Sequence, residues 1–331
     1  MGASSAYEHK NPAPFGPRGG YETPIAPWAA HAQNSPAGNI KIVVPYPPGG
    51  STDMIARLVQ PDMQQRLGTT VIIENRAGGG GSIGTAAVAK SSPDGSTWAM
   101  VFDNHAANPF VFPNMPFDTE KDLDPVQLIG TAPYVLSTNA QKPFKTLAEV
   151  VAAAKTKPGT LSYATVGAGS VGHLAMELLW KQAGVRLVHV PYRGGGPAMN
   201  DLIAGHVDLL IASTAQSVPF IQAGSIRALA QSGKTRTSTL ANVPAIAESY
   251  PGFEAYAWWG VFAPAGTPKA IVIRFADELA ASLREPGVAK QLNETQQVTF
   301  ALGGPEELRK FVSEQMRLWG PVAREHNIQA D

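Results

Sequence analysis

The sequence predicts an α/β fold of two lobes, which are joined by two extended strands and separated by a cleft. Two series of alternating strand and helix patterns indicate the lobes, because β-α-β order builds a mostly parallel sheet covered by helices. Two apolar stretches, Pro125–Thr138 and Ala255–Pro264, indicate the connecting strands, since each is longer than a typical strand of about 5–6 residues. The chain has 331 residues, 44% of them apolar, which is enough for about two domains.

The first series lies between residues 41 and 102. Apolar residues that recur every four positions predict a helix at Ser51–Leu67, and Gly78–Gly81 leads into a short Ala-rich helix. The strand patterns of this series are Lys41–Pro45, Val71–Glu74 and Thr97–Phe102.

The second series opens with Thr146–Glu149, a capping box at the start of a helix. Gly224 is the expected cap at the end of its last helix. Its strand patterns are Leu161–Thr165, Arg186–Val190, Val207–Ala212 and Ile226–Ala230. Helices are predicted between them, at Gly172–Ala183 and from Pro197 onward.

The connecting strands set the predicted lobe boundaries. Residues 38–139 together with 254–331 form the first lobe, because helical segments near 268–285 and 305–326 return to it. Residues 140–253 form the second lobe. Residues 1–37 are rich in Pro, Gly, Ala and Asn, so we interpret them as a disordered leader, an added tag or the remnant of an incomplete export signal.

The composition argues against several classes of partner and site. Lys and Arg balance Asp and Glu at 26 each without a basic run, so nucleic acid is not expected as a partner. No apolar segment reaches the roughly 18 residues that cross a bilayer, so no membrane insertion is expected. The absence of cysteine removes disulfides and thiolate chemistry, and it fits an exported protein.

A G-x-G-x-x-G spacing at Gly167, Gly169 and Gly172 lies between a strand pattern and a helix pattern. Such a turn exposes backbone N–H groups at the positive end of a helix dipole, so it favours an anion. A dinucleotide site also needs an acidic residue about 20 positions later, and the next strand carries none. Arg193 could instead bind the 2′-phosphate of NADP, so an NADP-dependent reductase is an alternative function. A smaller anion is the better hypothesis, and plain turn geometry is the third reading.

A counterpart of this turn lies in the first lobe at Tyr46–Asp53, where a strand also passes into a helix through glycines. Plain capping of the helix by Ser51, Thr52 or Asp53 is the structural alternative. One such turn in each lobe allows two helix N-termini to converge on a single carboxylate. Hydroxyl donors for it are available on Ser51, Thr52, Thr165 and Ser170.

A second alternative function is that of a serine hydrolase. Gly80–Gly84 fits G-x-S-x-G, the nucleophile elbow, with Ser82 as the nucleophile. The elbow requires the serine directly after a strand, whereas Asn75–Gly81 separates Ser82 from the preceding strand pattern. A triad would also need a later acid and histidine, such as Asp208 and His326. We therefore expect no enzyme and no catalytic residues.

The histidines show no pairing at metal-ligand spacing, so neither a metal nor another cofactor is expected. His105 follows a strand end, where it either faces the cleft or is satisfied within a loop. Trp258 and Trp259 point to opposite sides of their strand. One of them is therefore expected in the core, and the other either also packs in the core or lies near the ligand.

Seven segments together carry a resemblance to a known family: Val43–Asp53, Val71–Gly84, Pro93–Gly95, Leu161–Leu174, Val188–Gly194, Trp259–Pro268 and Trp319–Ile328. In this order they resemble the solute-binding proteins of tripartite tricarboxylate transporters, from about residue 40 to 328. The resemblance implies a periplasmic binding protein of the type II kind, with two Rossmann-like lobes that close like a flytrap on an organic acid. It also implies membrane permease subunits as partners, and we expect a monomer.

In that family the ligand carboxylate is held by backbone groups and ordered water at the loop matched by Tyr46–Asp53. The second lobe contributes the loop matched by Thr165–Ser170 and the residues after Val207–Ala212. This sequence departs from the family at Ala212–Ala215, where many relatives carry an Asp-Asn stretch, and at Phe102–His105. With these departures, an aromatic carboxylate and a C4–C6 aliphatic carboxylate are equally good hypotheses for the ligand. The candidate ligand contacts are Tyr46, Pro48, Gly49, Gly50, Ser51, Thr52, Asp53, Asp103, His105, Thr165, Val166, Gly167, Ala168, Ser170, Arg193, Ser213 and Thr214.

Overall fold

The computed structural model of the chain describes residues 38–295 and 297–330, so the prediction for residues 1–37 lies outside the described part. One sheet of ten strands runs through these residues. The strands are β1 (Ile40–Val44), β2 (Val71–Asn75), β3 (Thr97–Phe102), β4 (Leu123–Asn139), β5 (Ser162–Thr165), β6 (Val188–Pro191), β7 (Leu209–Ser213), β8 (Ile226–Gln231), β9 (Tyr256–Pro264) and β10 (Thr299–Gly303).

Helices follow most of these strands along the chain. They are α1 (Ser51–Leu67), α2 (Ser82–Ala89), α3 (Asn104–Val111), α4 (Leu147–Thr156), α5 (Val171–Ala183), α6 (Gly195–Ala204), α7 (Thr214–Gln222), α8 (Lys269–Leu283), α9 (Pro286–Ala289) and α10 (Pro305–Glu325). The predicted α/β fold is confirmed, although α3 and β10 were not predicted. Within the described residues, no helix has the length and apolar character needed to cross a membrane.

Strand β4 belongs to both halves of the sheet. The strand order is β2-β1-β3-β9-β4-β7-β5-β6, and β8 and β10 also pair with β4. Residues 123–133 of β4 pair with β9, whereas residues 134–139 pair with β7 and β8. We refer to β1, β2, β3, β9 and β10 as the first half-sheet, and to β5, β6, β7 and β8 as the second half-sheet.

The parallel strands of the two half-sheets point toward each other. Strand β9 is antiparallel to both β3 and β4, so β1 and β3 run in the direction of β4 toward the second half-sheet. Strand β7 is antiparallel to β4 and parallel to β5, so β5, β6 and β7 run toward the first half-sheet. The loops at the carboxyl ends of both sets therefore face each other, at the edges where α/β sheets bind ligands.

Ser232 bridges the two connections between the half-sheets. One connection is β4, and the other reaches the first half-sheet at Ala255, directly before β9. The Tyr134 N–H donates to the Ser232 hydroxyl oxygen over 2.8 Å, and this hydroxyl donates to the Ala255 carbonyl over 2.5 Å. Ser232 is fully buried, so these two backbone groups are satisfied without water.

We expect Ser232→Ala to lower the free energy of unfolding by about 1–3 kcal/mol, because it removes the shared partner of two buried backbone groups. Ser137→Ala in β4 is a matched control, since Ser137 is 1% exposed and its hydroxyl has no hydrogen-bond partner. Urea unfolding of both variants tests the bridge. Equal losses of stability in the two variants would contradict it.

Candidate functional site

The loop after β1 is positioned by Tyr46. The Tyr46 hydroxyl donates to Asn104 Oδ1 over 2.7 Å and accepts from the Phe102 N–H over 3.0 Å. The Asn104 amide in turn donates to the carbonyl of Gly80 over 2.5 Å. The Tyr46 ring is thus held by the end of β3 and the start of α3, and α3 also holds the glycine loop that precedes α2.

The Asp53 side chain holds this loop through hydrogen bonds. Its carboxylate accepts from the Gly49 N–H over 3.0 Å, from Arg57 over 2.9 Å and from the Asn75 amide over 2.9 Å. Burial acts to raise the pKa of Asp53, but these hydrogen bonds outweigh it and hold the pKa below its usual value. The carboxylate is fully engaged, so its predicted role as a ligand contact has no geometric support.

The N-terminus of α1 carries no side-chain cap. Its N-cap residue is Gly50, and none of the three expected capping side chains, Ser51, Thr52 and Asp53, takes that role. Helix α6 is also uncapped, since its N-cap residue is Gly194. The first N–H groups of both helices therefore lack intrahelical and side-chain acceptors.

These two uncapped N-termini meet across the cleft. A Cβ atom at Gly194 would lie 2.8 Å from Pro47 Cδ, and one at Gly196 would lie 2.5 Å from the Pro48 carbonyl oxygen. A Cβ atom at Gly50 would lie 3.7 Å from the Gly195 nitrogen. The loops are in backbone contact, and this contact requires the glycines of the second half-sheet.

Two adjoining cavities lie where the loops meet, and both are lined by Tyr46 and Val166. The inner cavity has a volume of about 20 Å³ and lies between the α1 and α6 N-termini. This volume suits a group of about the size of one water molecule. The outer cavity has a volume of about 470 Å³. It lies within the range of about 300–1,000 Å³ that is usual for small-molecule sites.

The outer cavity brings together several predicted residues. Val166, Gly167, Ala168 and Arg193 line it from the second half-sheet. The backbone of Gly78–Gly81 lines it from the first half-sheet, with the apolar side chains of Ile83 and Phe112 beside it. The cavity therefore offers backbone groups, one guanidinium and apolar surface.

The N-terminus of α5, predicted as half of the carboxylate clamp, lies next to the buried carboxyl group of Asp103. Asp103 at the end of β3 accepts a hydrogen bond from the Tyr134 hydroxyl. Burial raises the pKa of Asp103 well above its usual range, although the hydrogen bonds from Tyr134 and from the N–H groups of Val171 and Asn104 act to lower it. Ser170 caps the same helix, since its hydroxyl accepts from the His173 N–H over 3.3 Å. The structure therefore places the N-terminus of α6, and not that of α5, directly against the loop before α1.

Other predicted contacts are also buried away from the cavities. The Thr165 hydroxyl donates to the Gly167 carbonyl over 3.0 Å inside its own loop. The His105 ring lies in the core, 4.6 Å from the Phe262 ring, and burial lowers the pKa of His105 to about 3. We do not retain these two side chains, nor those of Ser170 and Asp103, as direct ligand contacts.

Ser213, Thr214 and Trp259 are buried and line neither cavity. The hydroxyls of Ser213 and Thr214 are buried without a partner, and neither residue lines a cavity. Trp259 is fully buried, and its indole N–H donates to the Ser51 hydroxyl oxygen over 3.3 Å. Trp259 therefore orients a candidate donor rather than contacting the ligand. Pro48 and Gly49 lie exposed at the loop tip, outside both cavities.

Two parts of the site were missed by the sequence reasoning. The Gly194–Gly196 run forms the facing N-terminus, and its signal was three glycines directly before a helix pattern. Gln216 lines the inner cavity from the first turn of α7. Its only signal in the sequence was a polar residue shortly after a strand pattern. Helix periodicity alone did not show whether this residue is buried or lies on the surface.

A stacked histidine pair supports the loop after β5. The rings of His173 and His189 lie 3.6 Å apart between centroids, at an interplanar angle of 15°. His173 Nδ1 accepts from the Gly169 N–H over 3.1 Å, and His189 Nε2 lies 2.7 Å from the Thr165 hydroxyl. Burial, together with the charges of His189 and His326, lowers the pKa of His173 to about 3. Burial lowers the pKa of His189 to about 4.

The alternative functions lack geometric support. Ser82 is buried at the start of α2, after the Gly79–Gly81 turn and not directly after a strand. Among the described residues, no hydrogen bond joins Ser82 to a histidine. A pyrophosphate would need the α5 N-terminus, which is capped by Ser170 and lies next to the buried carboxyl group of Asp103.

We expect the free energy of unfolding to fall as the pH is lowered from about 7 to 5. Both histidines stay neutral in the folded protein until about pH 4, whereas the unfolded chain protonates them near its usual pKa of about 6.5. Stability is therefore lost as the unfolded state binds more protons. The expected loss is of the order of 1–2 kcal/mol per histidine.

Urea unfolding of the wild type and of His189→Gln at both pH values tests this expectation. The variant should show a smaller difference between pH 7 and 5, because one proton-linked group is removed. An undiminished difference would contradict the role of the histidine pair.

Comparisons with known proteins agree with this geometry. A family model described as "Tripartite tricarboxylate transporter family receptor" matches residues 55–328. The chain is 39% identical, over 298 residues, to the UPF0065 protein in the tcbD-tcbE intergenic region of Pseudomonas sp. (strain P51). The aligned part is 89% of this chain and 88% of that protein.

Three solved structures share the fold. The periplasmic binding protein BugD matches with a TM-score of 0.85 and 31% identity, over 89% of this chain and 100% of that chain. The R. palustris protein Rpa4515 with adipate matches with a TM-score of 0.85 and 34% identity, over 89% and 99%. MatC (Rpa3494) from Rhodopseudomonas palustris with bound malate matches with a TM-score of 0.82 and 32% identity, over 87% and 99%.

The comparisons confirm the resemblance that the seven sequence segments predicted, and they agree with an α/β fold in which strand-end loops face each other across a cleft. The chain belongs to the receptor family of tripartite tricarboxylate transporters.

Proposed function

We propose that this receptor captures a small organic carboxylate between its half-sheets and delivers it to the permease subunits of a membrane transporter. The observation that carries the proposal is the contact of two uncapped helix N-termini, those of α1 and α6, across the inner cavity. Each N-terminus carries the equivalent of about +0.5 elementary charge. Their approach is unfavourable unless an anion lies between them, so ligand binding and closure favour each other.

The two cavities support a ligand with a carboxylate at one end. One carboxylate oxygen fits the inner cavity, whose volume is about 20 Å³, and the body of the ligand fits the outer cavity of about 470 Å³. Ile83 and Phe112 suit a hydrocarbon body, and Arg193 suits a second acidic group at the mouth. These features favour a dicarboxylate with an aliphatic or aromatic body. Adipate and malate in two similar structures support this class.

The remaining parts of the proposal follow from the family and the sheet. The moving bodies are residues 38–139 with 254–331 and residues 140–253, which turn about β4 and the segment before β9. The protein acts as an exported, periplasmic monomer, and it binds its ligand without transforming it. No cofactor, metal or nucleic acid takes part.

Thermal melting against succinate, malate, adipate and phthalate tests the proposal. A ligand at 100 times its dissociation constant should add about 2.7 kcal/mol of stability, which raises the melting temperature by several degrees. NADP and the esterase substrate p-nitrophenyl acetate serve as controls for the alternative functions. Stabilisation by NADP alone, or ester hydrolysis that Ser82→Ala abolishes, would overturn the proposal.

Gly196→Ala tests the coupling between closure and binding. The added Cβ would lie 2.5 Å from the Pro48 carbonyl oxygen across the cleft, so it should obstruct closure. The affinity for the best acid of the panel should fall by roughly tenfold or more, since overpacking costs about 1–3 kcal/mol. Stability without ligand should be kept, because alanine is favoured over glycine in a helix.

Gly287→Ala is the matched control for this variant. Its Cβ would lie 3.5 Å from a Glu285 carboxylate oxygen, an ordinary contact in the short helix α9. Isothermal titration of the wild type and both variants measures the affinities. If Gly196→Ala and Gly287→Ala bind the acid equally well, closure does not bring these loops together.

A further inference from the structure

Gln216 is a buried polar side chain that the fold leaves without a partner. It is the third residue of α7 and is 2% exposed. Its amide nitrogen, Nε2, makes no hydrogen bond within the described part of the chain. A buried donor without an acceptor is costly, so such a group usually has a partner that the free chain does not supply.

The position of the Gln216 amide is set by Gly195. A Cβ atom at Gly195 would lie 2.0 Å from Gln216 Oε1 and 2.6 Å from Nε2. Both ends of the amide therefore lie directly against the first residue of α6, where only glycine leaves room. Gly195 and Gln216 both line the inner cavity, opposite Ser51 and Thr52.

Several other groups around the inner cavity can donate hydrogen bonds. The first N–H groups of α1 and α6 have no side-chain cap. The Ser51 hydroxyl accepts from the Trp259 indole, which leaves its own hydrogen free to donate. An ionised carboxylate accepts hydrogen bonds and donates none, so it is the group that suits these donors.

We propose that Gln216 is a specificity-determining residue, which donates from Nε2 to a ligand carboxylate oxygen in the inner cavity. This inference rests on the proposed function, and it adds the side chain that recognises the buried end of the ligand. The neighbouring hydroxyls of Ser213 and Thr214 are also without partners, but they do not line the cavity. Gln216 is therefore the side chain of α7 that reaches the site.

The proposed contact distinguishes a carboxylate from a carboxamide. The N–H₂ group of a carboxamide would add donors to a cavity that already holds the Gln216 amide and the uncapped N–H groups of α1 and α6. Replacing the Gln216 amide by a carboxylate reverses one contact, because Glu accepts where Gln donates. Gln216→Glu should therefore disfavour a buried carboxylate and favour a carboxamide in its place.

Isothermal titration with adipate and with its monoamide, adipamate, tests this proposal. Adipate should bind Gln216→Met about 10–100-fold more weakly than the wild type, because a hydrogen bond to a charged group is lost. It should bind Gln216→Glu more weakly still, through repulsion of like charges. The ratio of adipamate to adipate affinity should rise in Gln216→Glu, which a merely structural role for Gln216 would not produce.

Gln222→Glu is the matched control, since Gln222 is exposed on the same helix and undergoes the same chemical change. It should bind both probes as the wild type does. Circular dichroism checks the fold of each variant, and Gln216→Met decides the question if Gln216→Glu does not fold.

The outcomes separate the two proposals. If neither adipate nor any other acid of the panel binds the wild type, the proposed function fails. If acids of the panel but not adipate bind, the best of them and its monoamide replace the probes. If the wild type binds its acid and both Gln216 variants bind it within twofold of the wild type, the role of Gln216 is overturned while the proposed function stands.

Discussion

The N-termini of α1 and α6 lie in backbone contact across the cleft, and neither is capped by a side chain. In most helices a Ser, Thr, Asp or Asn side chain takes up the first N–H groups. Here the first turn of α1 contains three such side chains, yet none of them caps the helix. Asp53 braces the loop, and Ser51 accepts from Trp259. The first N–H groups of α1 are thereby left without a side-chain acceptor.

The neighbouring helix α5 shows the opposite arrangement. Its first turn is capped by Ser170 and faces the buried carboxyl group of Asp103, which Tyr134 also holds. The same kind of strand-to-helix turn thus becomes an internal contact at one place and an open site at another. Since helices present similar N–H groups at their N-termini, the side chains and the facing glycines decide which N-terminus binds a ligand.

The sequence predicted most strands, most helices and the facing edges, because these follow from hydrophobic periodicity and β-α-β order. It also placed Val166, Gly167, Ala168 and Arg193 at what proved to be a cavity. It paired α1 with α5, whereas the structure places Gly194–Gly196 at the start of α6 against the α1 loop, a contact between loops far apart in the sequence. His105, for which the sequence left two positions open, lies in the core, because the unpredicted helix α3 places its ring against Phe262.

Strand β4 has a mechanical consequence. It pairs with β9 up to Pro133 and with β7 from Tyr134 onward, so one continuous strand is shared by both halves. Sliding of one half past the other would break ladder hydrogen bonds on both sides of this point, whereas bending or twisting the strand there leaves them intact. A rotation of the two half-sheets about the middle of β4 is therefore the relative movement that keeps both ladders intact.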